Sequence, residues 1–223
     1  MSLLRSSYGA LGVALFVVLE FVLILFVDEP VSRTLRTVDH DHTALINFFR
    51  SWTDLGKSCW YLWPSGVALL LGAAWLRWGK IEEARRARLR GAVQMLAFFF
   101  ASVALSGIIA DIIKPIFGRA RPVELEKDNF YGFHPGNFHY TFNSLPSGHA
   151  TTAFAVAFAL GALKPSWRPW LLIYAVALAL SRVMVNAHFC SDVVGGAAVG
   201  IVTTLVLERT FRRRGWLSPV NQG

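Results

Sequence analysis

The sequence reads as an all-α integral membrane protein: one bundle of six transmembrane helices, with an amphipathic interfacial helix between the first two spans. Two observations predict this. Hydrophobic residues fill 54% of the 223 positions and charged residues only 16%, outside the balance of a soluble domain. The apolar residues also fall in long runs separated by short polar segments, rather than in the alternations of strands. Each span consumes roughly 20 residues of an approximately 30 Å hydrocarbon layer, so residues 1–223 are expected to form a single transmembrane domain.

The first run, Tyr8–Val27, follows Arg5 and resembles a secretory signal. It is longer than such a signal and lacks a small-residue cleavage site before Asp28, so it is read as an uncleaved span. Leu45, Phe48, Phe49, Trp52 and Leu55 then recur at helical spacing and Gly56 supplies a stop, which predicts a helix lying in the outer interface. Cys59–Leu76 and Gly91–Ile113 are the second and third spans. Ala150–Leu163, Trp170–Asn186 and Asp192–Leu207 complete the six; they are short, and their ends draw on flanking polar residues such as His149 and Ser191.

Charge supports a topology rather than a nucleic-acid surface. The formal charge is +8, yet no nucleic-acid motif is present and the basic residues cluster between apolar runs. Arg5, the Arg77–Arg90 cluster, Lys164, Arg168 and the Arg209–Arg214 tail share one side, which the positive-inside rule makes cytoplasmic together with both termini. The two cysteines, Cys59 and Cys190, form neither a CxxC pair nor a ligand cluster; they lie near one membrane face and are read as free packing residues.

Three polar clusters interrupt the apolar pattern, all at the outer ends of spans, and they are expected to meet in space. The first is Lys114-Pro115-Ile116-Phe117-Gly118-Arg119-Ala120-Arg121-Pro122; the second is Pro146-Ser147-Gly148-His149; the third runs from Ser181-Arg182 to His188 and Asp192. Lys114, Arg121 and Arg182 place three cations around one pocket, which is unfavourable beside a bilayer unless a multiply charged anion joins them. Phosphate is the natural guest. Ser147 and Gly148 open a helix whose free N–H groups favour an anion. His188 and Asp192 are four apart, so on one helical face the carboxylate can hold one imidazole nitrogen and leave the other to attack. His149 is placed to protonate the departing oxygen, and afterwards to activate the water that hydrolyses a phosphohistidine.

Lysine, six residues, arginine-proline; proline-serine-glycine-histidine; serine-arginine, five residues, histidine, three residues, aspartate: this pattern resembles the type 2 phosphatidic acid phosphatase superfamily, and every signature position between Lys114 and Asp192 is matched. The resemblance implies a metal-independent phosphatase without a cofactor. Lys114, Arg121, Ser147, Gly148 and Arg182 would bind phosphate, with His149 as acid, His188 as nucleophile and Asp192 as its partner. The expected partners are a lipid phosphate and the bilayer, in a bacterial inner membrane with a periplasmic site. Phosphatidic acid, phosphatidylglycerol phosphate, polyprenyl pyrophosphate and a lipid A phosphate all present the same reacting group. A transferase passing the phosphoryl group from His188 to another lipid, and a transporter that binds without cleaving, are the alternatives.

Other residues carry two readings. Arg119 either snorkels to the headgroups or touches substrate, and Lys114 pairs with Asp111 or with the anion. Glu20, inside the first span, is either functional or a protonated or hydrogen-bonded packing residue. The aromatic series from Phe130 to Phe142 either lines a lipid access path or anchors the interface. His40, His42, His134 and His139 are read as ordinary loop or interface residues.

Overall fold

The computed structural model describes residues 2–41 and 43–217, with side chains described over 9–37 and from Ala44 onward. His42 and the side chains of Arg5 and His40 lie outside the described residues, and the readings made of them above stay expectations. The described residues are helical almost throughout: α1 (Ser2–Val22), α2 (Asp28–Asp41), α3 (Thr43–Thr53), α4 (Cys59–Trp78), α5 (Glu83–Phe117), the short α6 (Pro122–Lys127), α7 (Gly148–Leu163), α8 (Arg168–Met184) and α9 (Cys190–Arg213). All six apolar runs of the sequence fall on helices. Four stretches, Gly9–Thr37, Ala44–Trp78, Glu83–Phe117 and Cys190–Arg213, are long and apolar enough to cross a membrane; α7 is apolar but shorter.

One boundary and one helix face differ from expectation. The first helix does not stop at Val27 but passes through a π-helical turn, Leu23–Val27, directly into α2. The reason is Asp28: its carboxylate is buried against Arg119 and Ser191 rather than hydrated, so the charge does not require the chain to leave the helix there. In α3 the expected apolar stripe is divided. Ile46 and Thr53 are buried toward the bundle, while Leu45 and Phe48 are exposed.

The core centres on α7, whose Ala150, Ala153, Ala155 and Ala159 are fully buried, so that neighbouring helices approach its backbone closely. Its closest neighbour is α9, through Gly196 and Gly200. A Cβ on Gly200 would stand 2.5 Å from Thr151 O, and one on Gly196 would overlap Ser147 O. Alternation of α4, α5, α7, α8 and α9 brings the N-terminus of α7, the C-termini of α5 and α8 and the N-terminus of α9 to the same end of the bundle. At that end α5 stops at Gly118, in the left-handed conformation with φ 57°. The loop from Gly118 to Ser147 is then tied to itself by backbone hydrogen bonds, among them Arg121 N–H to Thr141 O at 2.7 Å and Ser144 N–H to Arg119 O at 3.1 Å.

Candidate active site

The three polar clusters converge. His188 is buried in the turn between α8 and α9, its backbone N–H directed to Arg182 O at 3.3 Å. It does not share a helical face with Asp192, as the four-residue spacing suggested, because α9 begins only at Cys190. Asp192 instead caps that helix: its Oδ2 accepts the Phe189 N–H at 2.8 Å. The turn brings His188 Nδ1 to 3.5 Å from Asp192 Oδ2. On the other side of the ring, Nε2 lies 3.3 Å from Arg121 Nη1. A guanidinium can only donate, so Nε2 must be the unprotonated nitrogen and Nδ1 carries the proton toward Asp192. Burial, with the charges of Arg121 and Arg182 adding to it, outweighs the pull of Asp192 and pushes the imidazole down to about 4. The ring is therefore neutral near pH 7, with a lone pair directed to the cationic side of the site.

Carbonyls hold Arg121 in place. Its Nε donates to Tyr140 O at 3.1 Å, Nη2 to Asn143 O at 3.2 Å and Nη1 to Ala187 O at 3.3 Å, while the guanidinium stacks 4.0 Å from the centre of the Tyr140 ring. Arg182, at the end of α8, donates from Nη1 to Thr53 Oγ1 at 3.0 Å, and its Nε has no hydrogen-bond partner among the described residues. Ser147 precedes α7, its N–H anchored to Asp192 O at 2.8 Å and its buried hydroxyl without a partner among the described residues. Lys114 pairs with Asp111 at 2.6 Å, and its Nζ also stands 3.5 Å from where a Cβ on Gly148 would be. The Asp111 pairing is thus met, with the ammonium held beside the N-terminus of α7. His149 occupies the first turn of α7 against Gly56 and Leu178, so close that a Cβ on Gly56 would stand 2.8 Å from its ring.

Arg119 does not snorkel to the headgroups; its guanidinium is taken up by two carboxylates. It is 1% exposed, with Nη2 2.6 Å from Asp28 Oδ2 and Nη1 2.7 Å from Asp192 Oδ1. Burial opposes its charge, but Asp192 and Asp28 together overcome that and raise its pKa further. Ser191 donates from its backbone to Asp28 Oδ1 at 3.1 Å and from its hydroxyl to Oδ2 at 2.5 Å, and Ser144 Oγ donates to Asp192 Oδ2 at 2.5 Å. The carboxylate behind His188 is therefore held by a buried network reaching back to the first helix. Sequence reasoning missed Asp28, Ser144 and Thr53, and read Tyr140 only as one of the aromatic segment. Only Asp28 left a signal, an acid at the end of an apolar run.

Of the other doubtful residues, Cys59 and Cys190 are both free. Tyr131 donates to Ile24 O at 2.5 Å, and Phe130 meets Phe142 at 5.9 Å between ring centres, so part of the aromatic segment packs the loop down while Phe138 and Tyr140 stay exposed. The His139 ring contacts Thr141 Oγ1 at 2.9 Å, a local loop contact.

With this geometry in hand, the similarities are specific. Residues 95–216 match the PAP2 superfamily, a range that contains every residue of the site named above except Asp28, Thr53 and Gly56. Over 210 residues the chain is 35% identical to a lipid A 1-phosphatase of Rhizobium johnstonii, spanning 91% of this chain and 82% of that protein. A lipid A 1-phosphatase of Rhizobium etli is 34% identical over 196 residues, 86% of this chain and 81% of that one. A crystal structure of a transmembrane PAP2 type phosphatidylglycerolphosphate phosphatase from Bacillus subtilis has a similar fold, with TM-score 0.55 at 22% identity over 90% of this chain and 94% of that chain.

Proposed function

The chain belongs to the PAP2 superfamily, and on that footing we propose that it hydrolyses the phosphate of a membrane lipid at the outer face of the bilayer, through a phosphohistidine on His188. The observation that carries this reading is the imidazole held between Asp192 and Arg121, with its unprotonated Nε2 turned to the cation. A purely binding pocket needs the cations but not that couple.

In the proposed reaction Nε2 of His188 attacks phosphorus, the bond from phosphorus to the lipid oxygen breaks, and His149 gives that oxygen its proton. Water, losing a proton to His149, then attacks the phosphohistidine; the N–P bond breaks and inorganic phosphate leaves. Arg121, Arg182, Lys114, the Ser147 hydroxyl and the N–H groups opening α7 balance charge on the phosphoryl oxygens. Asp192 keeps the proton on Nδ1 and stabilises the imidazolium character that develops. These donors are cations and N–H groups suited to an anion, so the reaction is written without a metal.

We take all six apolar helices as spans of one domain. α7 and α8, with 16 and 17 residues, are each roughly 25 Å long, and their polar ends make up the remaining thickness. Both termini are then cytoplasmic, α3 lies in the outer interface, and the site of a bacterial inner-membrane protein is periplasmic. The relatives named lipid A 1-phosphatases make the 1-phosphate of lipid A the first substrate to test.

The deciding experiment follows radiolabelled phosphate from lipid A, phosphatidic acid, phosphatidylglycerol phosphate and polyprenyl pyrophosphate with purified protein. Release into water is expected, with His188→Ala inactive though still folded. Label passing to a second lipid would make the chain a transferase. Binding without release would make it a carrier, and near-normal turnover by His188→Ala would remove the nucleophile.

A further inference from the structure

Glu20 lies in α1, within the apolar stretch Gly9–Thr37, and both carboxylate oxygens are buried without a hydrogen-bond partner among the described residues. The hydrogen-bonded packing role considered for it from sequence is therefore not realised by the protein itself. A carboxyl group left so among apolar neighbours is unfavourable in either protonation state. Intramembrane ionisable groups that persist usually face a cavity or a ligand path.

Here there is such a cavity, of about 1040 Å³, between α1, α5 and α9. It is lined by Gly12, Phe16 and Glu20 of α1, Ile113 of α5, and Gly195 and Val199 of α9, and is apolar apart from Glu20 and Thr203. Leu145 and Pro146 close its outer end, and the next residue in the chain is Ser147. On the facing wall Ile113 lines the cavity, while its neighbour Lys114 reaches toward Gly148. Glu20 Oε1 stands 3.6 Å from where a Cβ on Gly195 would be, so the carboxyl sits at the roof, about one helical turn from Asp192 along α9. Leu11, Leu15 and Val18, on the other side of α1, are exposed apolar residues of the same candidate span, which sets the cavity at the depth of lipid chains.

We propose that this cavity holds one hydrocarbon chain of the lipid whose phosphate enters the site, and that Glu20 pairs with a hydroxyl or amide group carried near the head of that chain. The proposal rests on the lipid phosphatase reading. Ile113 and Pro146 line the cavity while their chain neighbours Lys114 and Ser147 belong to the candidate site, so the two chemistries adjoin: phosphate on the cationic side, chain on the apolar side. A hydroxyl or an amide both donates and accepts, and so satisfies the carboxyl whether or not it is ionised; an ester carbonyl only accepts. The structure thus favours lipids whose chains bear such groups over simple diesters.

The test compares kcat/KM of the full chain in nanodiscs for ceramide 1-phosphate, which carries a hydroxyl and an amide, for dioleoyl phosphatidic acid, which carries only esters, and for para-nitrophenyl phosphate, which has no chain. Glu20→Leu should lower the ratio of ceramide 1-phosphate to phosphatidic acid about tenfold, with Glu20→Gln restoring most of it. Gly12→Phe, placed where an added Cβ meets nothing within 4 Å, should lower the ratio of either lipid to para-nitrophenyl phosphate. Unchanged ratios in these variants, or an equal loss on all three substrates, would overturn the proposal and leave Glu20 a structural residue. Failure of the parent chain to release phosphate from these substrates and from lipid A, phosphatidylglycerol phosphate and polyprenyl pyrophosphate as well would refute the phosphatase reading alone. The chain site is then judged by photolabelling with a phosphatidic acid bearing a diazirine midway along one chain. Labelling of α1 and α9 around the cavity, lost in Gly12→Phe, upholds it; labelling elsewhere only defeats it.

Discussion

At the scale of single residues, the decisive contact is the one behind the proposed nucleophile, His188. Asp192 is shared between His188, Ser144, the Phe189 N–H and Arg119, and Arg119 is in turn braced by Asp28. Removing one member of a buried ion pair costs about 3–5 kcal/mol, because the remaining charge loses its counter-charge. Asp28→Ala should therefore lower the melting temperature markedly and reduce kcat, with Asp28→Asn intermediate; an unchanged melting temperature would mean that Asp192 alone holds Arg119. The pH response follows from His188, whose pKa falls from 6.5 in the free side chain to about 4 in the native protein. Between those values the unfolded chain takes up the proton and the native one does not, so this residue's contribution to stability is lost as pH drops through that window. Thermal unfolding from pH 7 to pH 4 should show a steeper decline in the parent protein than in His188→Gln. The residues proposed to bind phosphate could be picked out in the sequence, because anion chemistry restricts residue type and spacing. Arg119 was not, because its fate depends on carboxylates 91 and 73 positions away, one of which sat at a supposed span end.

At the scale of elements, every apolar run became a helix, since hydropathy reports on burial in lipid without regard to partners. What it does not report is how two helices cross. α7 and α9 meet through Gly196 and Gly200, spaced four apart, and this crossing sets the site: Ser147 N–H donates to Asp192 O at 2.8 Å across it. A valine at Gly200 would press on Thr151 O and Ala155 N, backbone atoms that cannot yield. Gly200→Val should destabilise the protein by about 1–3 kcal/mol and lower kcat more than KM, because the displaced helix carries Asp192 away from the α7 N-terminus. Thermal unfolding and steady-state phosphate release would check both effects. The same limit explains α3, where helical spacing foretold the helix but not that Ile46 and Thr53 would turn inward while Leu45 and Phe48 stay outside.

At the scale of the whole molecule, the alternation of helices sends Lys114, Ser147, Arg182 and Asp192 to one end, and the basic clusters Arg77–Arg90 and Arg209–Arg214 to the other. The two ends differ in charge as well as in chemistry, which makes orientation testable without any substrate. Cys59 opens α4 at the site end and is exposed, whereas Lys80 lies in the short connection between α4 and α5 at the basic end. In a Cys190→Ala background, a membrane-impermeant maleimide applied to intact spheroplasts should label Cys59 at once. In Cys59→Ala/Cys190→Ala/Lys80→Cys it should label only after the membrane is opened, because the positive-inside rule keeps that connection in the cytoplasm. The reverse pattern would put the end that carries the candidate site inside, and lipid phosphates of the outer leaflet could then no longer be the substrates. Labelling of both positions from outside would mean that the stretch from Cys59 to Trp78 does not cross the bilayer, and the six-span bundle would have to be redrawn from α4 onward.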